Sequence, residues 1–182
     1  MAIILFAVVI VVVTHPSFFS STFPGVRAFT IPALSMAPTI QQSDRVLVNF
    51  LTYDRHDPAR GDVVAVIIPM DSGSTLQIKR IIAISGDVFS ISRGTVILNG
   101  NRLAESYTMS ASSSLDPSQT TDIAPDFGPL TIPANKYFIL GDYRAESYDS
   151  RYYGAIDRSQ IRGKVIRVYH SANPTAGWQR IH

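Results

Sequence analysis

Short apolar or alternating runs, many of them rich in β-branched residues, recur along the chain beyond residue 44 and restrict the fold to one built mainly from strands. Residues 45–50 alternate in polarity, whereas residues 63–68 form a continuous apolar run. Alternation predicts a half-buried strand, and a short apolar run after a turn predicts a buried one. Similar runs occupy residues 76–84, 88–92, 95–98, 137–140 and 161–169. The sequence therefore predicts a mostly β protein.

The length of 182 residues is sufficient for one domain with a hydrophobic core and an inserted sub-domain. Residues 104–128 are rich in Ser, Thr, Asp and Pro and show little periodicity, which is typical of a long loop or an insertion. We divide the chain into an N-terminal segment and linker, a β domain, a small sub-domain or long loop inserted in it, and a C-terminal tail. These parts cover residues 1–24, 25–171, about 99–135 and 172–182, respectively.

An unbroken apolar run precedes the β domain. Residues 2–13 carry no polar side chain, and the first charged side chain is that of Arg27. As a helix, residues 2–23 would be about 33 Å long, enough to cross a hydrocarbon core of about 30 Å. A removable signal peptide normally begins with positive charge and ends in small residues, and this run does neither. The pattern favours one membrane-spanning helix. The charges of this segment do not determine the orientation of the helix in the membrane.

Composition argues against several classes of function. The chain has no cysteine, and its four histidines are far apart, so thiol catalysis and the usual zinc-binding patterns are excluded. The net charge is +2, and the basic residues are scattered rather than clustered. Nucleic-acid binding usually requires a basic patch. We therefore expect neither a metal site nor a nucleic-acid partner.

A serine between two prolines is the first candidate for chemistry. Pro32 and Pro38 flank Ser35, and proline restricts the backbone around it. A stiffened segment suits a nucleophile, and it equally suits a surface turn. No histidine is placed nearby to activate the hydroxyl.

Lys79 is the second candidate, because it lies among isoleucines in the predicted strand of residues 76–84. Lysine is rarely buried unless it is paired or functional. Apolar surroundings lower the pKa of the ammonium group, and the neutral amine can then act as a base. A Ser–Lys pair is a known variant of the catalytic triad. The alternative is an edge-strand lysine that prevents aggregation.

A polar segment at residues 141–154 follows a short apolar strand, a position where loops commonly carry function. The hydroxyl of Ser147 is suited to orient a lysine amine without restoring its positive form. A carboxylate in contact with Lys79 would raise the pKa of the ammonium group. Asp149 is therefore expected to pair with Arg144 or Arg151.

Residues 60–62 read Arg-Gly-Asp, which matches an adhesion motif. The tripeptide is short and common, and a glycine between polar residues is sufficient to form a turn. We therefore expect a turn here.

Four stretches together resemble the type I signal peptidases, membrane-bound Ser–Lys endopeptidases that remove signal peptides. Ser35-Met36-x-Pro38-Thr39 resembles the nucleophile box, and residues 60–64 resemble the strand that follows it. Residues 79–87, which begin Lys-Arg and end Gly-Asp, resemble the lysine box, and residues 141–154 resemble the C-terminal signature. The order and spacing fit from about residue 27 to residue 171.

The resemblance implies a catalytic role for two side chains and a supporting role for three others. Ser35 would be the nucleophile, with its backbone N–H holding the oxyanion, and Lys79 would be the general base. Ser147 would orient the Lys79 amine, while Asp149 and Arg151 would form a supporting ion pair.

The resemblance also implies a substrate pocket. Met36 would pack beside the lysine and keep water away, and Pro32 and Ile78 would line a shallow pocket for the alanines that the family prefers at positions −1 and −3. Two residues depart from the family pattern. Ala33 stands where some members have a serine that joins the oxyanion hole, and Tyr143 stands where the signature usually has asparagine.

We therefore expect a signal-peptidase-like β fold with an inserted β sub-domain, preceded by one transmembrane helix. The expected function is cleavage of exported preproteins after A-x-A-like sites, at the cell membrane, with the catalytic domain on the extracytoplasmic side. Membrane lipid would be its other partner, and no cofactor is needed. The alternatives are a catalytically impaired scaffold that binds exported chains, and a self-cleaving SOS-type repressor with the same dyad.

Overall fold

The computed structural model describes residues 24–70, 73–108, 126–171 and 179–181. These residues form two antiparallel sheets, one short α-helix and three 3-10 turns. The strands are β1 (Val26–Thr30), β2 (Arg45–Asn49), β3 (Val63–Met70), β4 (Gly73–Ile84), β5 (Val88–Ser92), β6 (Thr95–Leu98), β7 (Asn101–Arg102), β8 (Phe127–Thr131), β9 (Lys136–Leu140), β10 (Ile156–Asp157), β11 (Ile161–His170) and β12 (Gln179–Arg180). The helix α1 spans Ser150–Tyr153, and the 3-10 turns span Thr52–Asp54, Arg144–Glu146 and Arg158–Gln160.

The larger sheet has the strand order β1-β2-β11-β3-β4-β9-β10, with β12 paired to β11. Strand β4 changes partner along its length. Residues 73–80 pair with β3, whereas residues 80–84 pair with β9. Within the described residues, the second edge of β4 is therefore open before Arg80, and this opening becomes one border of the cleft described below.

Strand β3 is continuously apolar because both of its faces are covered. Val63 and Ala65 pack into one hydrophobic cluster, and Val64 and Val66 pack into another on the opposite face of the sheet. Side chains alternate between the two faces of a strand, so a sheet with a core on each side requires an unbroken apolar sequence. Such burial supplies the main stabilisation of a fold of this size.

The smaller sheet has the order β7-β6-β5-β8. Its core joins it to the larger sheet through aromatic rings, since the centroids of Phe89 and Phe138 are 4.2 Å apart. Phe127 lies 5.1 Å from Phe138 in the same cluster. The sheet begins at Val88, and residues 109–125 lie outside the described residues.

The mostly β architecture is confirmed, and the longer strands fall where the apolar runs predicted them. The sequence pattern did not predict the strands β1, β7, β8, β10 and β12. Three of these strands have only two residues, β1 contains polar residues, and β8 contains glycine and proline. Residues 1–23, which hold the predicted membrane-spanning helix, lie outside the described residues. Among the helices of the described ranges, none has the length and apolar character needed to cross a membrane.

The Arg-Gly-Asp tripeptide forms a turn whose two charged side chains are each paired with other residues of the chain. Arg60 donates to Asp87 through Nε at 2.7 Å. Asp62 accepts hydrogen bonds from Tyr53 at 2.8 Å and from Lys164 at 2.5 Å. An adhesion motif must present both charges to a partner, and here each is already bound.

Gly163 allows close contact between β11 and β2, and we expect its replacement by alanine to destabilise the fold. A Cβ at this position would lie 2.7 Å from the backbone oxygen of Asn49 and 3.0 Å from a Val48 methyl group. Overpacking of this kind costs about 1–3 kcal/mol, which a lowered midpoint of chemical denaturation would measure. Arg162→Ala, at the exposed neighbouring position, is the control. Equal midpoints for the two variants would contradict the prediction.

Candidate active site

Ser35 and Lys79 meet at the open edge of β4. The Nζ of Lys79 donates a hydrogen bond to the Oγ of Ser35 at 3.0 Å. Lys79 lies on β4 and is only 4% exposed, while Ser35 lies in the loop between β1 and β2. The two residues are 44 positions apart in sequence, and the fold brings them within hydrogen-bonding distance.

Burial sets the protonation of Lys79. Desolvation lowers the pKa of its ammonium group from 10.5 to about 8. Asp149 and Asp142 oppose this shift, and the positive charge of Arg151 adds to it. A substantial fraction of the amine is therefore neutral near pH 8 and can accept a proton.

Backbone hydrogen bonds fix the Ser35 segment. The N–H of Ala37 donates to the oxygen of Leu34 at 2.8 Å, and the N–H of Tyr143 donates to the oxygen of Ser35 at 3.1 Å. The N–H of Ser35 itself makes no hydrogen bond to the part of the chain that the structure describes. This donor therefore remains available beside the hydroxyl.

Gly141 permits the close approach of three segments. A Cβ at residue 141 would lie 2.4 Å from the backbone oxygen of Ser35 and 2.3 Å from the Oγ of Ser147. Real Cβ contacts are not that short, so a larger residue would displace at least one of these groups. Glycine at the end of β9 is thus a requirement of the packing.

Asp149 and Arg151 form a bidentate ion pair that is nearly inaccessible to solvent. Arg151 donates to the two carboxylate oxygens at 2.8 and 2.9 Å. Asp149 also accepts the N–H of Gly141 at 3.0 Å, which ties the ion pair to the Ser35 environment. Of the two arginines considered from sequence, Arg151 is the partner of Asp149, because Arg144 pairs with Glu105 at 2.5 Å.

Ser147 differs from the expectation. Its Oγ is buried beside Gly141, and it makes no hydrogen bond to any described residue. The contact with the Lys79 amine that the resemblance implied is therefore absent here. A buried hydroxyl without a partner is costly, and it has the capacity to accept one hydrogen bond.

The sequence analysis missed a buried ion pair between Arg80 and Asp142. The guanidinium donates to the two carboxylate oxygens at 2.9 and 2.7 Å, and both side chains are almost completely buried. Thr39 donates to the same carboxylate at 2.5 Å, and the Tyr107 ring covers the guanidinium at 4.0 Å. The available signal was the pair of adjacent basic residues, Lys79 and Arg80, in an otherwise apolar strand. Side chains alternate between the faces of a strand, so Arg80 points away from Lys79 and needs a partner of its own.

The dyad opens into a cleft of about 340 Å³. Pro32, Met36 and Ile78 line it, as the resemblance implied, and so does Ala33. Met36 is 1% exposed. Ala33 presents only a methyl group and can donate no side-chain hydrogen bond. Within the described ranges, no group of three or more His, Asp or Glu side chains is arranged to hold a metal ion.

Comparison with known proteins supports one family. A family model described as signal peptidase, peptidase S26, matches residues 1–170. The chain is 35% identical over 152 residues to a probable signal peptidase I-2 of a Synechocystis species, covering 78% of this chain and 64% of that protein. It is 33% identical over 163 residues to a signal peptidase I of Leptolyngbya laminosa, covering 82% of this chain and 73% of that protein.

A solved structure is also similar. The crystal structure of a signal peptidase I from Enterococcus faecalis matches with a TM-score of 0.50 and 29% identity. The match covers 60% of this chain and 97% of that one. The chain spans a little under two thirds of the Synechocystis relative and nearly three quarters of the Leptolyngbya relative, at 64% and 73%.

The predicted family and the predicted class of enzyme, a peptidase, are confirmed by these matches. The site contains the serine and the lysine of the two boxes in contact. The match of the family model over residues 1–170, together with relatives above 30% identity, means that the chain belongs to the signal peptidase family, peptidase S26.

Proposed function

We propose that this protein is a membrane-bound serine endopeptidase that removes signal peptides from exported preproteins by means of a Ser35–Lys79 dyad. The observation that carries the proposal is the 3.0 Å contact between Lys79 Nζ and Ser35 Oγ, made by a lysine whose pKa burial lowers to about 8. Membership in the signal peptidase family supports a preprotein as the substrate.

The first half of the reaction forms an acyl-enzyme. The neutral Lys79 amine takes the proton of the Ser35 hydroxyl as Oγ attacks the carbonyl carbon of the scissile bond. The resulting ammonium group then gives this proton to the nitrogen of the leaving peptide. The mature protein departs, and the signal peptide remains joined to Oγ as an ester.

The second half releases the signal peptide. Lys79, neutral again, takes a proton from a water molecule that attacks the ester carbonyl. The ester bond breaks, and the proton returns to Ser35 Oγ. No cofactor enters either half.

The backbone N–H of Ser35 supports the proposed oxyanion site, because it is unpaired among the described residues. Ala33 supplies no second donor from its side chain. Loss of one oxyanion donor costs about a hundredfold in rate or more. We therefore expect turnover below that of members with serine at this position.

Ser147 is proposed to accept a hydrogen bond from Lys79 during the reaction. Its Oγ is buried and has an unused acceptor, and a hydroxyl orients an amine without placing a negative charge beside it. Asp149 and Arg151 are proposed to hold this segment in place, since Arg151 also donates to the backbone oxygens of Arg144 at 2.7 Å and Ser147 at 3.0 Å.

The cleft is proposed to hold the substrate residues before the cleaved bond. Pro32 and Ile78 would contact the small side chains at positions −1 and −3, and Met36 would exclude water from the lysine. Residues 1–24 would anchor the protein as a single pass in the cell membrane, in contact with lipid, with residues 25–171 as the catalytic domain on the extracytoplasmic side.

Cleavage of a preprotein with an A-x-A site, in detergent, tests the proposal directly. We expect the parent protein to cut after the second alanine. Ser35→Ala and Lys79→Ala are each expected to lose about a thousandfold or more in rate, because each removes a member of the reacting pair. Lys136→Ala, at a partly exposed lysine paired with Asp157, is the control. If the parent binds the preprotein without cutting it, the protein is a scaffold and the proposal fails.

The pH dependence tests Lys79 as the base. The neutral amine is the active form, so kcat/KM should rise with pH and level off above about 8, the pKa that burial gives this group. Below that value the neutral fraction falls about tenfold for each pH unit. A profile measured from pH 5 to pH 10 checks this, and a rate that stays constant down to pH 5 would exclude Lys79 as the base.

Replacement of Gly141 should lower activity by more than the loss of folded protein accounts for. A Cβ at residue 141 would displace the Ser35 carbonyl or the Ser147 side chain, and a shift of about 1 Å at reacting groups can cost about a hundredfold in rate. We expect Gly141→Ala to lower kcat/KM by about that factor. Gly163→Ala introduces a similar clash far from the cleft and should retain the parent kcat/KM in its folded fraction. Equal losses in both variants would contradict the prediction.

A further inference from the structure

The cleft has two walls of different chemistry. One, the apolar wall, consists of Phe29, Ile31, Met36 and Ile78. The other, the polar wall, consists of Gln77, Glu146 and Tyr148. The apolar wall suits the small residues that the proposed function places in the cleft. The polar wall has no part in that mechanism.

The two walls lie on opposite faces of β4. Ile78 pairs with Ala65 and packs against the hydrophobic cluster that contains Ile31 and Met36. Gln77 pairs with Val66, which belongs to the cluster on the other face. Tyr148 is on that same side, because its ring contacts Tyr153 at 5.4 Å and Tyr153 packs against the second cluster.

Each member of the polar wall is suited to a cation. The Oε1 of Gln77 is buried and accepts no hydrogen bond from any described residue. Glu146 is exposed, and the two arginines near it in sequence are already occupied, Arg144 by Glu105 and Arg151 by Asp149. An amide oxygen and a carboxylate both accept hydrogen bonds from an ammonium or guanidinium group.

Tyr148 adds an aromatic face. Its side chain is half exposed at 50%, and its ring stacks on Tyr152 at 5.1 Å. The second ring limits the movement of the first. A cation above a tyrosine ring is attracted by the electron-rich face. The amide oxygen, the carboxylate and the aromatic ring therefore all favour a cationic ligand.

The substrate register follows from strand geometry. Side chains of an extended chain alternate in direction, so those at −1 and −3 lie on one side and the one at −2 lies on the other. If −1 and −3 contact the apolar wall, the side chain at −2 is directed at the polar wall. The position of −2 is set by the proposed function, on which this inference rests.

We propose that Gln77, Glu146 and Tyr148 form a binding site for a lysine or arginine side chain at position −2 of the substrate. The site determines specificity among substrates that all carry small residues at −1 and −3. Glu146 supplies the charge, Gln77 supplies a hydrogen-bond acceptor shielded from water, and Tyr148 supplies the surface on which the cation rests.

Three peptides with alanine at −1 and −3, and with Lys, Gln or Glu at −2, test the proposal on the full-length protein in detergent. An exposed ion pair changes kcat/KM by a few-fold, and the exchange of Lys for Glu at −2 turns the attraction into a repulsion. We therefore expect kcat/KM for the Lys peptide to exceed that for the Glu peptide by about tenfold at low ionic strength. The ratio should decrease in about 0.5 M NaCl, where exposed charges are screened.

Variants assign the preference to the polar wall. Glu146→Gln should reduce the Lys-to-Glu ratio to about threefold or less, and Gln77→Met should reduce it as well, because each removes an attraction for the cation. Asp54→Asn is the matched control, because it removes the same charge from an exposed carboxylate outside the cleft and should retain the parent ratio.

The outcomes separate this inference from the proposed function. A parent protein that cleaves all three peptides equally well, or whose preference persists in Glu146→Gln, overturns the inference and leaves the function standing. A parent protein that cleaves none of the peptides overturns the proposed function and this inference with it.

Discussion

A buried guanidinium joins the segments that carry the candidate active site. Arg80 lies on β4 beside Lys79 and pairs with Asp142, which follows β9. It also donates to the backbone oxygen of Gly61 at 2.9 Å and to Thr39 at 3.3 Å. Loss of one partner of such a pair typically costs about 3–5 kcal/mol, because a charge remains buried without compensation. The Ser35 loop, the turn before β3 and the segment after β9 are thereby fixed relative to Lys79.

Lys79 and Arg80 are adjacent on β4 but need different surroundings: Arg80 needs a carboxylate partner, and Lys79 must have none in contact. The alternation of side chains along the strand places them on opposite faces and so meets both requirements. Arg80 is compensated by a carboxylate at 2.7 Å. Lys79 contacts a hydroxyl instead, so that desolvation remains the largest influence on its pKa. Asp149 and Asp142 each have an arginine of their own. These ion pairs stabilise carboxylates close to the lysine, and the opposing charge of Arg151 limits their effect on its pKa.

The sequence predicted what depends on local pattern and on motifs. The apolar runs located β3, β4, β9 and β11, alternation located β2, and the four boxes paired Ser35 with Lys79. Asp149 was predicted to pair with an arginine, because a carboxylate in contact with Lys79 would raise the pKa of the lysine and prevent it from acting as a base. Arg80, Thr39 and Tyr107 were not predicted as one network, because they are distant in sequence and meet only through the sheet register. The same reason explains the polar wall, because Gln77 meets Glu146 and Tyr148 only across the cleft.

Tyr143 and Ala33, the two departures from the family pattern, differ in their effect. A departure matters little where the residue acts through its backbone, and more where it acts through its side chain. Tyr143 acts on Ser35 through its N–H, at 3.1 Å, and any residue except proline can supply that donor. Gly141 acts through the absence of a side chain. The replacement at residue 143 therefore leaves the placement of Ser35 intact. Ala33, in contrast, removes a side-chain donor that no backbone group of residue 33 replaces by itself. In the proposed mechanism the Ser35 N–H is then the principal oxyanion donor, so the expected rate depends on how closely the turn at Leu34–Ala37 directs that single group at the substrate.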